Sequence, residues 1–297
     1  MKKYSPLDIS RNFLGIDRKY SSFEDSKIVI LGCPYEKTTS YGKGTAHGPA
    51  AILKASHYVE FFDEEMISEI CFDKGICTLP PLSFNKVAGK SAIEHAYKSV
   101  KNLIEEEKFV VTAGGEHTIS IAPIKAHFDS FKNLSILHFD AHSDLRDSYE
   151  GNKYSHACFA ARVAEFTTDI VQVGIRAQCY EEHEFIKKSK IKTYYAHRMR
   201  EEGFYDSLNE KILNDLNENV YITFDVDYFD PSIMPSTGTP EPGGFFWDET
   251  LRLLKKVIKN TNLVGFDVVE LAPVKNVPSP DYLTAKLIYK ILSYKYS

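Results

Sequence analysis

Short apolar runs alternate with longer segments of helical periodicity along almost the whole chain. Most of these runs are continuously apolar rather than alternating, which is typical of strands covered on both faces of a parallel sheet. The candidate strands are Lys27–Leu31, Phe109–Thr112, Ser135–Phe139, Ile170–Val173, Thr193–Tyr195, Val220–Phe224 and Leu263–Val268. The candidate helices are Gly48–Glu65, Ser91–Glu107, His117–Phe128, His156–Ala164, Gly203–Leu216, Trp247–Lys259 and Asp281–Ser293. This alternation predicts an α/β fold in which helices flank a parallel sheet.

No internal repeat, low-complexity stretch or linker-like change of composition divides the 297 residues. We expect one domain over residues 1–297, in which residues 1–25 are an N-terminal extension without a diagnostic motif. The composition, 43% hydrophobic and 26% charged, excludes a disordered chain. A formal net charge of −5 gives no attraction to nucleic acid or to an anionic membrane, so neither is an expected partner.

The amino-terminal sequence and the cysteines favour a cytoplasmic protein. Pro6 and Asp8 interrupt any apolar run near the start, so we expect no secretory signal. No stretch approaches the ~20 apolar residues of a membrane helix. The five cysteines form neither a CxxC pair nor a zinc-finger spacing, which is typical of reduced thiols.

Carboxylates and imidazoles follow three of the candidate strands, and α/β folds place their sites in loops at the carboxyl ends of parallel strands. The segment HFDAHSD comes directly after an apolar run. Since alternate residues of an extended chain project to the same side, its Asp140, His142 and Asp144 are expected to converge. The other candidate donors are Asp225 and Asp227 in FDVD and His117 in GGEH.

Each of these signals is ordinary when it stands alone, because acids after strands often form caps and turns, and a lone histidine is more often structural. Together, four carboxylates and two imidazoles would repel or titrate one another unless cations neutralised them. A donor set without thiolate favours manganese over a structural zinc. Six donors also exceed what one catalytic zinc requires, so we expect two metal ions.

At these positions the sequence resembles the ureohydrolases, the family of arginase and agmatinase. The matching blocks occur in family order over most of the chain and are GGEH (114–117), DAHSD (140–144), SHACF (155–159), FDVDYFDP (224–231), STGTPEPGG (236–244) and FDVVELAP (266–273). The resemblance implies a single three-layer α/β/α domain around a mainly parallel eight-stranded sheet, with two Mn²⁺ ions per subunit. Because family members are commonly trimers or hexamers, it also implies a homo-oligomer.

The resemblance further assigns roles to individual residues. It implies that His117, Asp140, Asp144 and Asp225 hold one ion and that Asp140, His142, Asp225 and Asp227 hold the other, with Asp140 and Asp225 bridging. In the implied reaction an activated water attacks the guanidinium carbon, and an amine leaves protonated. His156 matches the mobile-loop histidine of the family and is the predicted proton shuttle. Glu270 is predicted to pair with the planar guanidinium.

The sequence departs from the arginases in two places that serve the amino acid head of arginine. DLRDSYEG (144–151) stands where arginases carry an Asn-Thr-Pro run, and Arg176-Ala177-Gln178-Cys179 stands where they carry Arg-Asp-x-Asp. These differences argue against arginase activity. PEPGG (240–244) and DLRDSYEG resemble the agmatinases, which implies a small cationic guanidino substrate, agmatine, cleaved to putrescine and urea. PYEKTTSYGKG (34–44) also resembles enzymes that convert N1-aminopropylagmatine to spermidine and urea, and another guanidino acid is a further alternative. Asp147 and Glu150 are candidate partners of the substrate tail.

Functions of other classes fit the residues less well. A zinc deacetylase of acetylpolyamines shares the fold but needs fewer acidic ligands, and a non-catalytic regulatory homologue would lack a ligand or His156. Cys158, close to His156, prompts the alternative of a cysteine amidinotransferase. No thiolate-activating motif surrounds Cys158, so we expect it to be a packing residue.

Overall fold

Eight parallel strands form one sheet through the middle of the computed structural model, which describes residues 4–201 and 206–297. The strands are β1 Ile28–Cys33, β2 Ile76–Leu79, β3 Phe109–Gly114, β4 Leu134–Phe139, β5 Ile170–Ile175, β6 Lys192–Tyr195, β7 Asn219–Asp225 and β8 Asn262–Val269. Their order across the sheet is β2-β1-β3-β8-β7-β4-β5-β6, and each neighbouring pair is parallel. The predicted fold class is therefore confirmed.

The described α-helices are α1 Arg18–Ser21, α2 Gly48–Ser56, α3 Ile70–Asp73, α4 Lys90–Glu105, α5 Ile121–Phe128, α6 Phe159–Ala164, α7 Tyr180–Lys188, α8 Ala196–Glu201, α9 Asp206–Asn214, α10 Trp247–Asn260 and α11 Ser279–Tyr296. They cover both faces of the sheet. One core contains residues of α2, α9, α10 and α11, and the other contains residues of α4, α5 and α6. Neighbouring residues of one strand, such as Val110 and Val111, enter different cores, which explains the continuously apolar pattern.

The predicted elements differ from the structure mainly at their ends. Helix α2 stops at Ser56, although the periodicity suggested a helix to Glu65. The Ser56 hydroxyl accepts the backbone N–H of Leu14, and the Asp63 carboxylate then accepts two backbone N–H groups in a turn. Strand β2 and helices α1, α3, α7 and α8 were not predicted. Residues 203–205 of the helix expected over Gly203–Leu216 lie outside the described residues.

The N-terminal segment packs into the main body of the fold. Phe13 and Leu14 are buried in the core beside α2 and α11. The Phe13 backbone N–H donates to Thr78 Oγ1 of β2 across 2.9 Å. Among the described residues, none of the helices is long and apolar enough to cross a membrane.

The strand order decides where the site lies. Strands β3, β8, β7 and β4 are consecutive across the sheet, so their carboxyl ends lie side by side at one edge. His117, Asp140 and Asp225 lie at or just beyond the ends of β3, β4 and β7, and Glu270 directly follows β8. The topology thus brings together residues that are up to about half the chain apart in sequence.

Candidate metal centre and active site

All six predicted metal donors lie close together at this edge of the sheet. His117 Nδ1 is 3.1 Å from Asp140 Oδ2, 3.2 Å from Asp225 Oδ2 and 3.5 Å from Asp144 Oδ2. The remaining two donors continue the cluster on the other side of Asp140. His142 Nδ1 lies 2.8 Å from Asp227 Oδ2 and 3.6 Å from Asp140 Oδ1. Asp140 therefore turns one oxygen to each histidine, which is the arrangement expected of a bridging carboxylate.

The His117 imidazole shows that this cluster fits a cation. Its Nδ1 is buried and has no hydrogen-bond partner among the described residues, although three carboxylates surround it. Its Nε2 lies 3.0 Å from Thr223 Oγ1, and the Thr223 hydroxyl donates to Asp267 Oδ1 across 2.7 Å. Because the Thr223 hydroxyl donates its only proton to Asp267, its oxygen accepts a hydrogen bond from His117 Nε2. A lone pair on Nδ1 then faces the carboxylates, which a metal ion between them would satisfy.

The pKa values of two carboxylates of the cluster, Asp144 and Asp225, also fit a bound cation. Burial raises the pKa of Asp144 well above its ordinary value, and the charge of Asp140 adds to this. Burial also raises the pKa of Asp225, with added repulsion from Asp227 and Asp140. Acids that burial drives towards neutrality are those that a divalent cation returns to the charged form.

His138 is a functional residue that the sequence analysis missed. Its Nε2 lies 2.7 Å from Asp140 Oδ2, and its Nδ1 lies 3.1 Å from Gln172 Nε2. Gln172 Nε2 also donates to the carbonyl oxygen of Ser143 across 2.8 Å, which fixes it as a donor. His138 Nδ1 is therefore an acceptor, and Nε2 carries the proton that is given to Asp140. His138 lies within reach of the same cluster, with His117 and Asp140, and its Nε2 proton is directed to the Asp140 carboxylate, a candidate metal ligand.

Glu270 lies at the end of β8 as predicted and faces the same site. Its Oε1 accepts the backbone N–H of His117 across 2.6 Å. Burial raises the pKa of Glu270 to about 8. Glu270 and Asp144 both have a positive φ, +64° and +51°. Non-glycine residues seldom adopt this conformation, and such strain is concentrated at functional sites.

A cavity of about 420 Å³ opens above the cluster. The acidic side chains in its lining are Asp144, Glu182, Asp225, Asp227, Glu241 and Glu270. Two cations, Arg146 and Arg176, line the cavity beside these six acids. The Arg146 guanidinium lies 5.4 Å from the centroid of the Tyr149 ring. The Arg176 guanidinium is directed to backbone carbonyls, at 2.6 Å from that of Asp227 and 3.0 Å from that of Glu241. The lining is therefore suited to a cationic ligand.

His156 lies in the lining of this cavity, at the start of a short 3₁₀ turn before α6. Its Nδ1 is 3.3 Å from Thr38 Oγ1, and its Nε2 is 3.5 Å from Ser40 Oγ. Burial lowers the pKa of His156 below that of an ordinary imidazole. The neutral ring is thus available to accept a proton at neutral pH.

The two candidate tail residues lie elsewhere. Asp147 is exposed and forms ion pairs with Arg162 at 2.8 Å and with Lys153 at 3.3 Å. The described lining of the cavity includes neither Asp147 nor Glu150. It includes Glu241, which the sequence analysis did not single out, and whose Oε1 lies 4.0 Å from His142 Nε2. The only sequence signal for Glu241 was its place in the PEPGG block.

Cys158, which prompted the alternative of a cysteine nucleophile, is buried with its Sγ 3.8 Å from the carbonyl oxygen of Asn152. Burial raises the pKa of this thiol to about 11. A protonated thiol that faces a backbone carbonyl is a packing residue rather than a nucleophile.

A parallel α/β fold with a His/Asp cluster at its strand ends defines a metal-dependent hydrolase. The model of the arginase family matches residues 26–294, so the chain belongs to the arginase family. The N(1)-aminopropylagmatine ureohydrolase of Synechocystis is 38% identical, over 92% of this chain and 90% of that one. The agmatinase of Pyrococcus horikoshii is 32% identical, over 91% and 92%. The structure of the agmatine ureohydrolase of Thermoplasma volcanium has a TM-score of 0.84 at 28% identity, over 93% and 92%.

These comparisons confirm the predicted family and the arginase-like fold. They also confirm that the chain is an enzyme, a hydrolase of this family. The family depends on a binuclear metal centre. In this chain the His/Asp cluster provides candidate ligands for such a centre.

Proposed function

We propose that this enzyme hydrolyses the guanidino group of a cationic guanidinoalkylamine, releasing urea and a polyamine, with two Mn²⁺ ions as cofactor. The observation that carries the proposal is one acidic cavity lined by Glu270, His156 and four of the six donors, with the other two, His117 and Asp140, in contact with them. This combination suits a substrate with a planar cationic group and a second positive charge.

Two substrates are considered, and the names of the relatives support an order between them. The sequence analysis favoured agmatine. A relative that is 38% identical is named for N(1)-aminopropylagmatine, whereas relatives named agmatinase are 32% and 34% identical. We therefore place N1-aminopropylagmatine first and agmatine second.

Different residues of the chain have separate roles in the proposed reaction. Divalent ions at the six donors supply charge neutralisation and a water nucleophile at neutral pH. Glu270 binds the guanidinium, and one of its oxygens is already fixed by the His117 backbone N–H. A cation beside Glu270 also favours the charged carboxylate, whose pKa burial has raised to about 8. His156, whose neutral ring faces the same cavity, accepts a proton that the attacking water releases and passes it to the leaving amine.

Urea release tests this proposal directly. Purified enzyme supplied with Mn²⁺ is assayed on N1-aminopropylagmatine, agmatine, arginine and guanidinobutyrate, and acetate release from acetylpolyamines is measured in parallel. We expect urea from the first two substrates, with the higher kcat/KM for N1-aminopropylagmatine. Acetate release with zinc would instead support a deacetylase, and no turnover of any substrate would support a regulatory homologue.

The domain organisation, location and assembly of the enzyme are further proposals that rest on the sequence. We propose a single domain over residues 1–297, a cytoplasmic location and a homo-oligomer, trimer or hexamer. Analytical ultracentrifugation of the purified protein tests the assembly, and a sedimentation coefficient of a single subunit would contradict it.

A further inference from the structure

Glu116 is a completely buried carboxylate that joins the metal-binding loop to the segment 34–44. Its Oε2 accepts the backbone N–H groups of Lys37 and Thr38, across 2.5 and 2.7 Å. Its Oε1 accepts the hydroxyls of Thr38 and Thr118, across 2.6 and 2.7 Å. In all four contacts the Glu116 carboxylate is the acceptor.

The two segments approach each other too closely for any side chain at position 115. A Cβ atom on Gly115 would lie 2.0 Å from the carbonyl oxygen of Tyr35. The Glu116 backbone N–H donates to that same carbonyl across 2.8 Å. Thr38 is therefore held in place by the backbone as well as by the Glu116 carboxylate.

The hydroxyl of Thr38 has one proton, which it donates in the hydrogen bond to Glu116 Oε1. Every other polar contact of Thr38 Oγ1 must then be one in which the oxygen accepts. Two such contacts come from His156: its backbone N–H lies 3.0 Å away, and its ring Nδ1 lies 3.3 Å away. Ser155 Oγ is also 3.3 Å from Nδ1. Because this hydroxyl can donate or accept, it does not determine the tautomer of His156.

We propose that Glu116, acting through Thr38, holds His156 in the tautomer that carries its proton on Nδ1, so that the lone pair of Nε2 faces the cavity. Nε2 lies 3.5 Å from Ser40 Oγ, and both residues line the cavity above the cluster. The proton-accepting nitrogen is thus the one that faces the reacting groups. Glu116 and Thr38 are positioning residues, and the inference rests on the proposed function only for the shuttle role of His156.

Thr38→Val and Thr38→Ser form a matched pair for the test. Valine keeps the shape of threonine and removes the hydroxyl, whereas serine keeps the hydroxyl. The tautomer is read from nitrogen NMR spectra of full-length protein with isotope-labelled histidines, loaded with diamagnetic Zn²⁺ as a probe, at about pH 8, where an ordinary imidazole is neutral. The His156→Ala spectrum identifies the signals of His156.

We expect protonated Nδ1 in wild type and in Thr38→Ser, and a shift towards protonated Nε2 in Thr38→Val. With guanidino substrate and Mn²⁺, kcat is expected to fall about ten- to hundredfold in Thr38→Val, with KM within about twofold, and to recover in Thr38→Ser. Protonated Nε2 in the wild type, or an unchanged tautomer in Thr38→Val, would overturn the inference.

Glu116→Gln is the second variant, because its amide places a donor where the carboxylate accepted. If that donor reaches Thr38, the threonine hydroxyl turns towards His156 and the tautomer should change in the same direction. An unchanged tautomer in folded Glu116→Gln would also count against the inference. Since the spectra need no substrate, protonated Nδ1 without urea release would contradict the proposed function and leave this inference standing.

Discussion

His138 Nε2 donates to Asp140 Oδ2 across 2.7 Å, so a buried histidine within β4 orients the carboxylate at the centre of the metal cluster. His138 is in β4 and Asp140 directly follows that strand, two positions further on, so the two side chains project to the same side. Burial lowers the pKa of His138, which keeps its ring neutral. The contact therefore acts as a directed hydrogen bond from a neutral donor.

Replacing His138 should weaken metal binding. His138→Leu removes the donor to Asp140, whereas His138→Gln places an amide nitrogen near the position of Nε2. We expect the affinity of the apoprotein for Mn²⁺ to fall about ten- to hundredfold in His138→Leu. His138→Gln should recover most of that loss. Competition with a metal-sensitive dye measures the affinity, and equal affinities for wild type and the leucine variant would exclude this role.

Loss of either bridging carboxylate should remove both ions. Asp140→Ala or Asp225→Ala is expected to leave less than one metal ion per chain after gel filtration, because each acid faces donors of both predicted sites. Asp147→Ala is the matched control, since this exposed acid pairs with Arg162 and should keep full metal content. Elemental analysis measures the number of metal ions per chain. An Asp140 or Asp225 variant with two ions per chain would contradict the bridging assignment.

The elements and the clustering of the candidate donors were predictable because they depend on local patterns. The alternation of apolar strands and helices requires only short windows of sequence. The convergence of Asp140, His142 and Asp144 follows from the two-residue period of extended chain. Their meeting with His117 follows from parallel strands that end at one edge of the sheet.

The supporting contacts could not be predicted because their partners are distant in sequence. Thr38 and His156 are 118 positions apart, and Gln172 contacts His138 from a neighbouring strand. Loop geometry also decides which acids reach the cavity. Glu241 lines it, whereas Asp147 is turned towards Arg162.

His156→Ala should separate metal binding from turnover. The variant keeps the six donors, so we expect two ions per chain. Urea release is expected to slow by roughly two to four orders of magnitude, because the leaving amine loses its proton donor. The assay is steady-state urea release with added Mn²⁺. Turnover equal to that of wild type would remove His156 from the mechanism.

Lys290 is a buried cation on α11 whose removal should strongly destabilise the fold. Its side chain is 3% exposed, and its Nζ lies 2.9 Å from Asp63 Oδ1. Lys290→Met leaves the completely buried Asp63 without this cation, so we expect a loss of about 3 to 5 kcal/mol in the free energy of unfolding. Lys187→Met removes the cation of an exposed pair on α7 and should cause no measurable change. Urea unfolding followed by circular dichroism compares the two variants.

Glu65 should make the stability of the protein depend on pH in the acid range. Burial raises its pKa, but hydrogen bonds from Lys255, Lys290 and Tyr294 outweigh this and lower the pKa to about 2. Since the unfolded chain binds this proton at higher pH than the folded one, the stabilisation is present at neutral pH and is lost as the pH falls. Glu65→Gln should therefore be less stable than wild type at pH 7, and the difference should shrink between about pH 5 and pH 2. Urea unfolding over that pH range measures the difference in free energy of unfolding between the two proteins. A difference that stays constant down to pH 3 would show that the contacts of Glu65 do not depend on its charge.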